Sequence, residues 1–268
     1  MTGAGRDGAI VSRASELMLK LLFIRHGEST GNRAQRMSGQ AADRLTAQGQ
    51  RQCQQLARHL YQQEWRPSHI YSSPLQRALD SVAELAKVWQ WQLSDSPMPQ
   101  VVPVASGDPA QRRTAERAGD LPQLSIRPQL QEFDAGILTG LTWREAQQQY
   151  PDLCQALETG RDWVPIPHAE TPLDGRARAA DFINYLLATH HNGDAVWLVS
   201  HQWIMEHLMA CLMGCDRTWQ MPMANTATFE FWLDRDRWSA GGISLGISDL
   251  WQIKRFNDCQ HLSEKSGP

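Results

Sequence analysis

Two short apolar runs, each ending in a histidine, constrain this chain more than any other feature. Leu19 to Ile24, interrupted only by Lys20, leads into Arg25-His26-Gly27-Glu28-Ser29, and Val196-Trp197-Leu198-Val199 leads into Ser200-His201. Apolar runs this short, without a helical period and bounded by loop residues, are the pattern of strands buried on both faces at the centre of a parallel sheet. In such sheets ligands sit outside the carboxyl ends of the strands, where loops reach a crevice over a rigid base. Both histidines are therefore expected at the reactive edge of one sheet.

The segments between the two runs alternate in kind. Thr46 is placed to cap a helix over Ala47 to Gln62, with Leu56 and Leu60 on one stripe. Ile70-Tyr71-Ser72 reads as a strand, followed by Ser73-Pro74 as the cap and first residue of a helix that carries Arg77 in its first turn. A helix is expected from near Thr142 and another from Gly175 to His190, stopped by Asn192-Gly193. A further helix runs from Trp203 to about Met213, and strands follow over Thr226 to Leu233 and from about Gly242 to Ile253. Strand and helix in alternation predict an α/β fold, a sheet with helices on both faces.

Residues 94–128 differ in character, with six of the fourteen prolines and the arginines Arg112, Arg113 and Arg127 among four. A connection of this length inside one domain is expected to be a lid or an insertion, and Asp108-Pro109 could cap a short helix within it. Residues 1–18 read as a disordered tail, 19–256 as one domain and 257–268 as a polar C-terminal tail.

Twenty-six basic against 29 acidic residues, a net charge of -3, offer no general attraction to nucleic acid or to an anionic membrane. No secretory signal or membrane span is evident. The five cysteines are scattered and lack a ligand spacing, so they read as reduced thiols of a cytoplasmic protein. Of the other histidines, His59, His69, His190 and His207 read as surface or helix-end groups. No metal, cofactor or clustered Cys/His/carboxylate site is called for, and the oligomeric state is not readable.

The chemistry that suits these residues is phosphoryl transfer. A neutral imidazole at His26, pinned through one ring nitrogen, is a nucleophile towards phosphorus. Arg25 and Arg77 supply planar forks for the phosphoryl oxygens, His201 a further donor, and Asn32 a neutral one. Glu132, in a loop after Pro128, is the candidate proton donor to the departing oxygen.

Taken together, the motifs resemble those of the histidine phosphatase superfamily, also called the phosphoglycerate mutase-like family, over about residues 19–235. The matching pieces are RHGESTGN from Arg25, SPLQRAL around Arg77, LQE ending at Glu132, HAETPLDGRAR with Glu170, and Val-Ser-His ending at His201. The resemblance implies a three-layer α/β/α sandwich with a mostly parallel central sheet and a phosphohistidine at His26. It also implies a phosphate pocket of Arg25, Arg77 and His201, with Glu132 as general acid and base, and no metal requirement. Gln202, where many members carry glycine, is a candidate phosphate contact, and Glu28 and Glu170 are candidates to orient neighbouring groups.

Residues that mutases use to hold a phosphoglycerate correspond here to Ala135, Trp143 and Gly160-Arg161. The expected activity is therefore hydrolysis of a small phosphomonoester, with a mutase-type phosphotransferase as the alternative and a non-catalytic phospho-ligand-binding module as a third reading. Arg36, Arg112, Arg113 and Arg161 are candidates either to recognise a second anionic group or to be solvated charges. Trp143, Trp163 and Trp203 either line a pocket or pack.

Overall fold

In the computed structural model of the chain, residues 18–94, 99–103, 121–238 and 250–263 are described. The first apolar run forms β1 (Leu19–Arg25), whose residues alternate between two hydrophobic layers. Leu19, Leu21 and Phe23 face one layer, and Leu22 and Ile24 face the other. This two-sided burial is what an apolar run without alternation demands. A one-turn helix, α1 (Thr30–Arg33), follows the loop, and then α2 (Ala47–Gln62), which Thr46 caps by accepting the Gly49 N–H at 3.0 Å.

Strand β2 (His69–Ser72) leads to α3 (Gln76–Val88), and β3 (Trp91–Leu93) pairs with β4 (Val101–Pro103) in a small antiparallel ribbon. Strand β5 (Gln123–Ile126) precedes α4 (Trp143–Gln149), α5 (Pro151–Thr159) and α6 (Pro172–Thr189). The second apolar run is β6 (Ala195–Ser200), followed by α7 (Gln202–Leu212), β7 (Thr228–Leu233), a short α8 (Arg235–Trp238), β8 (Trp251–Asp258) and α9 (Gln260–Ser263).

The main sheet has the order β5-β2-β6-β1-β7-β8. Strands β5, β2, β6 and β1 are mutually parallel, and β7 and β8 add antiparallel strands beyond β1. Helices α6 and α7 pack on each other over one face, through Phe182, Ile183, Ile204 and Leu208. Helices α2 and α3 do the same over the other, through Leu56, Leu60, Val82 and Leu85. The three-layer α/β/α sandwich is thus present. A third, smaller apolar cluster around Leu138, Ala146 and Cys154, carried by residues 133–166 with Met37, stands apart from the sheet. Among the described residues no helix is long and apolar enough to cross a membrane.

Some expectations need correction. Helix α3 starts at Gln76, not at Pro74, and has no side-chain cap, because the Ser73 hydroxyl is committed to the turn, accepting the Leu75 N–H at 3.2 Å. Strand β8 continues to Asp258, and α9 follows with His261 buried against α2, so residues 257–263 extend the fold past the boundary placed at 256. His59, His190 and His207 are buried, not on the surface, because they sit where helix packs on helix or sheet.

Within 94–128 the described residues form part of the β3–β4 ribbon and strand β5. The expected helix at Asp108-Pro109, with Arg112 and Arg113, lies outside the described residues, as do the tails at 1–17 and 264–268 and the first part of the strand expected from Gly242.

Candidate active site

Strands β1 and β6 lie side by side in parallel with Arg25 opposite Ser200, so the residues that follow them, His26 and His201, emerge at the same level. Their ring centroids are 4.9 Å apart. His26 is 2% exposed. Its Nδ1 lies 2.7 Å from the Gly27 carbonyl oxygen, which can only accept, so the proton is on Nδ1 and the lone pair is on Nε2. Arg77 donates from Nε to that nitrogen at 3.2 Å. Burial pushes the His26 pKa well below its ordinary value, and the charges of Arg77 and Arg25 push it further. A neutral imidazole with its lone pair beside a guanidinium is the state in which histidine attacks phosphorus.

The groups around it are held by backbone. Arg77, in the first turn of α3, donates to the carbonyls of Gly39 at 2.7 Å and Ala41 at 3.1 Å as well as to His26. Arg25 donates to the Met223 carbonyl, and its buried Nε has no partner among the described residues. Burial lowers the pKa of both arginines, with Glu132 acting against that shift. His201 is fully buried, with Nε2 2.8 Å from the Ser73 hydroxyl and Nδ1 without a partner among the described residues. Burial and the nearby cations push its pKa well down.

Arg25 Nε and His201 Nδ1 are thus buried polar atoms close to His26 without a partner among the described residues.

Glu132 lies over the start of α7, with a carboxylate oxygen 3.4 Å from the Ile204 N–H, the other 3.5 Å from that of Trp203, and the Phe133 N–H at 3.0 Å. The loop that carries it is clamped from below. Arg178 on α6 donates to the carbonyls of Gln129 and Gln131, both at 2.7 Å, and forms a two-pronged ion pair with Glu170. Glu170 therefore orients the Glu132 loop through Arg178. Glu28 serves the adjoining turn instead, accepting from the Thr46 hydroxyl at 2.6 Å. Asn32 takes part in the capping box of α1 with Ser29 and accepts from Asn225, which also donates to the His26 carbonyl at 3.1 Å.

A cavity of about 280 Å³ opens over this constellation. Arg25, His26, Asn32, Arg77 and Glu132 line its floor, and Met37, Phe133, Leu138, Ile166 and Trp203 its walls. The structure thus gathers His26, Arg25, Arg77 and Glu132 around one space, with the His201 ring 4.9 Å from that of His26 but outside the cavity lining. It does not bring Gln202 there. That amide donates to the Met221 carbonyl at 2.9 Å, and Gln202 is not among the lining residues.

Arg36 reaches the cavity but is paired with Glu145 at 2.7 Å. Arg161, Trp143 and Trp163 do not line it, and Trp143 donates to Glu158. None of the described residues of 94–128 lines it either; apart from Trp203, the described lining beyond Arg25, His26, Asn32 and Arg77 comes from 36–39 and 132–166.

Sequence reasoning missed Arg178, Ser73 and Asn225. Arg178 carried a signal, since it lies eight residues after Glu170 in the quoted HAETPLDGRAR stretch. Asn225 carried none, because only the antiparallel return of β7 beside β1 brings it to His26.

The chain matches the histidine phosphatase superfamily (branch 1) over residues 21–98 and 92–244. It belongs to that family. Members similar to it include a metal-independent phosphoserine phosphatase of Arabidopsis thaliana, 28% identical over 96% of this chain and 87% of the relative. A phosphoglycerate mutase-like protein of the same plant is 24% identical over 91% of this chain and 87% of its own length. Among solved structures, the phosphoserine phosphatase of Entamoeba histolytica in complex with 3-phosphoglyceric acid has the same fold. Its TM-score is 0.59 at 21% identity, covering 91% of this chain and all of that one (100%).

Proposed function

We propose that this histidine phosphatase family member hydrolyses a small phosphomonoester through a phosphohistidine on His26. The observation that carries the reading is the fixed tautomer of His26. The Gly27 carbonyl holds the proton on Nδ1, and Nε2 faces Arg77 at the floor of a cavity that Glu132 also lines. The Nε2 lone pair attacks phosphorus, the ester P–O bond breaks, and the departing oxygen takes a proton from Glu132. Water then attacks the phosphohistidine and yields its proton to the Glu132 carboxylate as the N–P bond breaks, releasing phosphate and restoring neutral His26.

Charge developing on the phosphoryl oxygens falls among Arg25, Arg77 and His201, whose positions are set before substrate arrives. The phosphatase relative at 28% identity supports hydrolysis. The apolar walls, together with the pairing of Arg36 to Glu145, favour an alcohol without a second phosphate.

A mutase-type transfer is the second reading, and the mutase-like relative favours it. Against it, Ala135, Trp143 and Gly160-Arg161 stand where mutases are expected to hold phosphoglycerate, and of these only Ala135 reaches the cavity. The five unpaired thiols fit a reducing, cytoplasmic setting.

Rapid quenching with a phosphomonoester panel that includes phosphoserine is expected to trap an acid-labile, alkali-stable phosphoenzyme that His26→Ala lacks. Free phosphate is expected as product, even with phosphoglycerate and a bisphosphoglycerate primer. Unchanged turnover in His26→Ala would overturn the mechanism, and isomerisation without phosphate release would establish the mutase.

A further inference from the structure

At the opposite end of the sheet from His26, three metal-ligating side chains meet that the phosphatase chemistry does not use. His69 begins β2, His190 caps the C-terminus of α6, and Asp194 immediately precedes β6. Their ligand atoms all lie within 4.8 Å of one another. We propose that His69, His190 and Asp194 form a binding site for a zinc-class divalent cation, which joins β2, α6 and β6 at the base of the sheet.

The geometry is built in advance by neighbours. His190 is 1% exposed, with Nδ1 2.9 Å from Asp194 Oδ2 and its ring edge-on to that of His69 at 4.5 Å between centroids. On the far side of the ring, Nε2 lies 2.9 Å from the Tyr71 hydroxyl. Without an ion the Asp194 carboxylate can only accept, so the proton is on Nδ1 and Nε2 accepts from the Tyr71 hydroxyl; a bound cation would take the place of the Nδ1 proton, with the Tyr71 hydroxyl turning to accept from Nε2. Metal-bound histidines commonly have such a partner on their second nitrogen.

The His191 N–H fixes Asp194 Oδ2 at 3.1 Å, and the Asp194 N–H closes the turn onto the His191 carbonyl at 3.1 Å. The Ser68 hydroxyl lies 2.9 Å from His69 Nδ1 and is itself held by both the N–H and the carbonyl of Ala195.

Donor type decides the class of ion. Two imidazoles and one carboxylate suit zinc, nickel or copper, whereas magnesium and calcium prefer all-oxygen sites. Tetrahedral zinc with bonds of about 2.0–2.2 Å sets its ligand atoms about 3.3 Å apart, close to the 2.9 Å between His190 Nδ1 and Asp194 Oδ2, and the spread of up to 4.8 Å across the three residues would contract on binding. Three protein ligands leave a fourth position, and His69 borders a hollow of about 400 Å³ that also touches Arg66, Ser68, Gln123 and Gly193, where water or a small anion could enter.

The plain alternative is a His-Asp pair that stabilises the α6–β6 turn with no ion. The two differ in a measurable way, because His69 makes no hydrogen bond to Asp194 among the contacts of this turn and is dispensable to the pair.

The site is about 20 Å from His26, the length of β6 at roughly 3.3 Å per residue. A cation here acts on the fold and not on phosphoryl transfer. The test is calorimetric titration of the chelator-treated full-length protein with zinc chloride, repeated on His69→Ala and Asp194→Asn, whose folding is checked by circular dichroism. His190→Gln is avoided as the sole variant because that ring is buried.

One zinc equivalent is expected in the wild type, weakened at least tenfold in both variants, and no heat with magnesium chloride. Cobalt(II) in the same protein is expected to show visible bands without thiolate charge transfer, which separates this site from the free cysteines. Absence of binding in the wild type, or wild-type affinity in both variants, would overturn the proposal.

Discussion

The protonation of His26, the proposed nucleophile, is the residue-scale property that decides most. With burial, Arg77 and Arg25 all disfavouring the imidazolium, His26 is expected to stay neutral as pH falls through 6.5 and to titrate only well below it. Histidine NMR of the free enzyme checks this, and in Arg77→Gln the titration should move upward because one cation is gone. A midpoint near 6.5 in the wild type would remove the physical basis for attack at low pH.

Arg178 makes a second prediction at this scale. It touches no reacting atom, yet it donates to both carbonyls of the loop that carries Glu132. Arg178→Ala should lower kcat by about 100-fold with KM little changed, since a misplacement near 1 Å costs about that much. Lysine should not rescue it, because a single ammonium cannot hold the Glu170 carboxylate and two carbonyls in one plane. An equal loss in melting temperature and in activity would mark Arg178 as merely structural.

At the scale of elements, the contact between α6 and α7 shapes the cavity wall. Gly175 on α6 lets the Trp203 ring of α7 lie so close that an added Cβ would fall 2.1 Å from its Cη2 atom. That ring packs on Phe133 and lines the cavity. Gly175→Ala gains helix propensity of about 1 kcal/mol, but overpacking costs about 1–3 kcal/mol, so a lower melting temperature is expected. A displaced Trp203 should raise KM severalfold for the preferred phosphoester while kcat stays within about twofold. Steady-state kinetics on the folded variant decides.

Elements are also where sequence and structure can be compared fairly. β1 and β6 were readable because burial on both faces leaves Lys20 as the one interruption in otherwise apolar runs, and α2 because Thr46 caps it. The start of α3 was misread because Ser73 and Pro74 match a cap locally, whereas the Ser73 hydroxyl accepts the Leu75 N–H in the turn and also meets His201, 128 positions away in the chain. The burial of His59, His190 and His207 was likewise invisible, being a product of packing between distant segments.

The molecule as a whole carries several histidines that folding keeps neutral. Burial pushes His207 and His261 down to about 4, lowers His190, and places His26 and His201 well below their ordinary value. The unfolded chain takes up protons on these rings near pH 6.5 and the folded one does not. Stability is therefore greatest above that pH and falls as pH drops from 6.5 towards 4. Urea midpoints measured at pH 7 and 4.5 should differ accordingly, and an unchanged midpoint would contradict the burial of these groups.

The parallel pairing of β1 with β6, Arg25 opposite Ser200, works as a ruler for the whole protein. Deleting one residue from β1 would turn His26 to the opposite side of the sheet, and deleting two would keep its side but draw it back by about 6.6 Å. Neither change need touch any group that meets the substrate. Insertions and deletions should therefore be tolerated in the surface connections and be lethal to activity inside these two strands, whatever residues they spare.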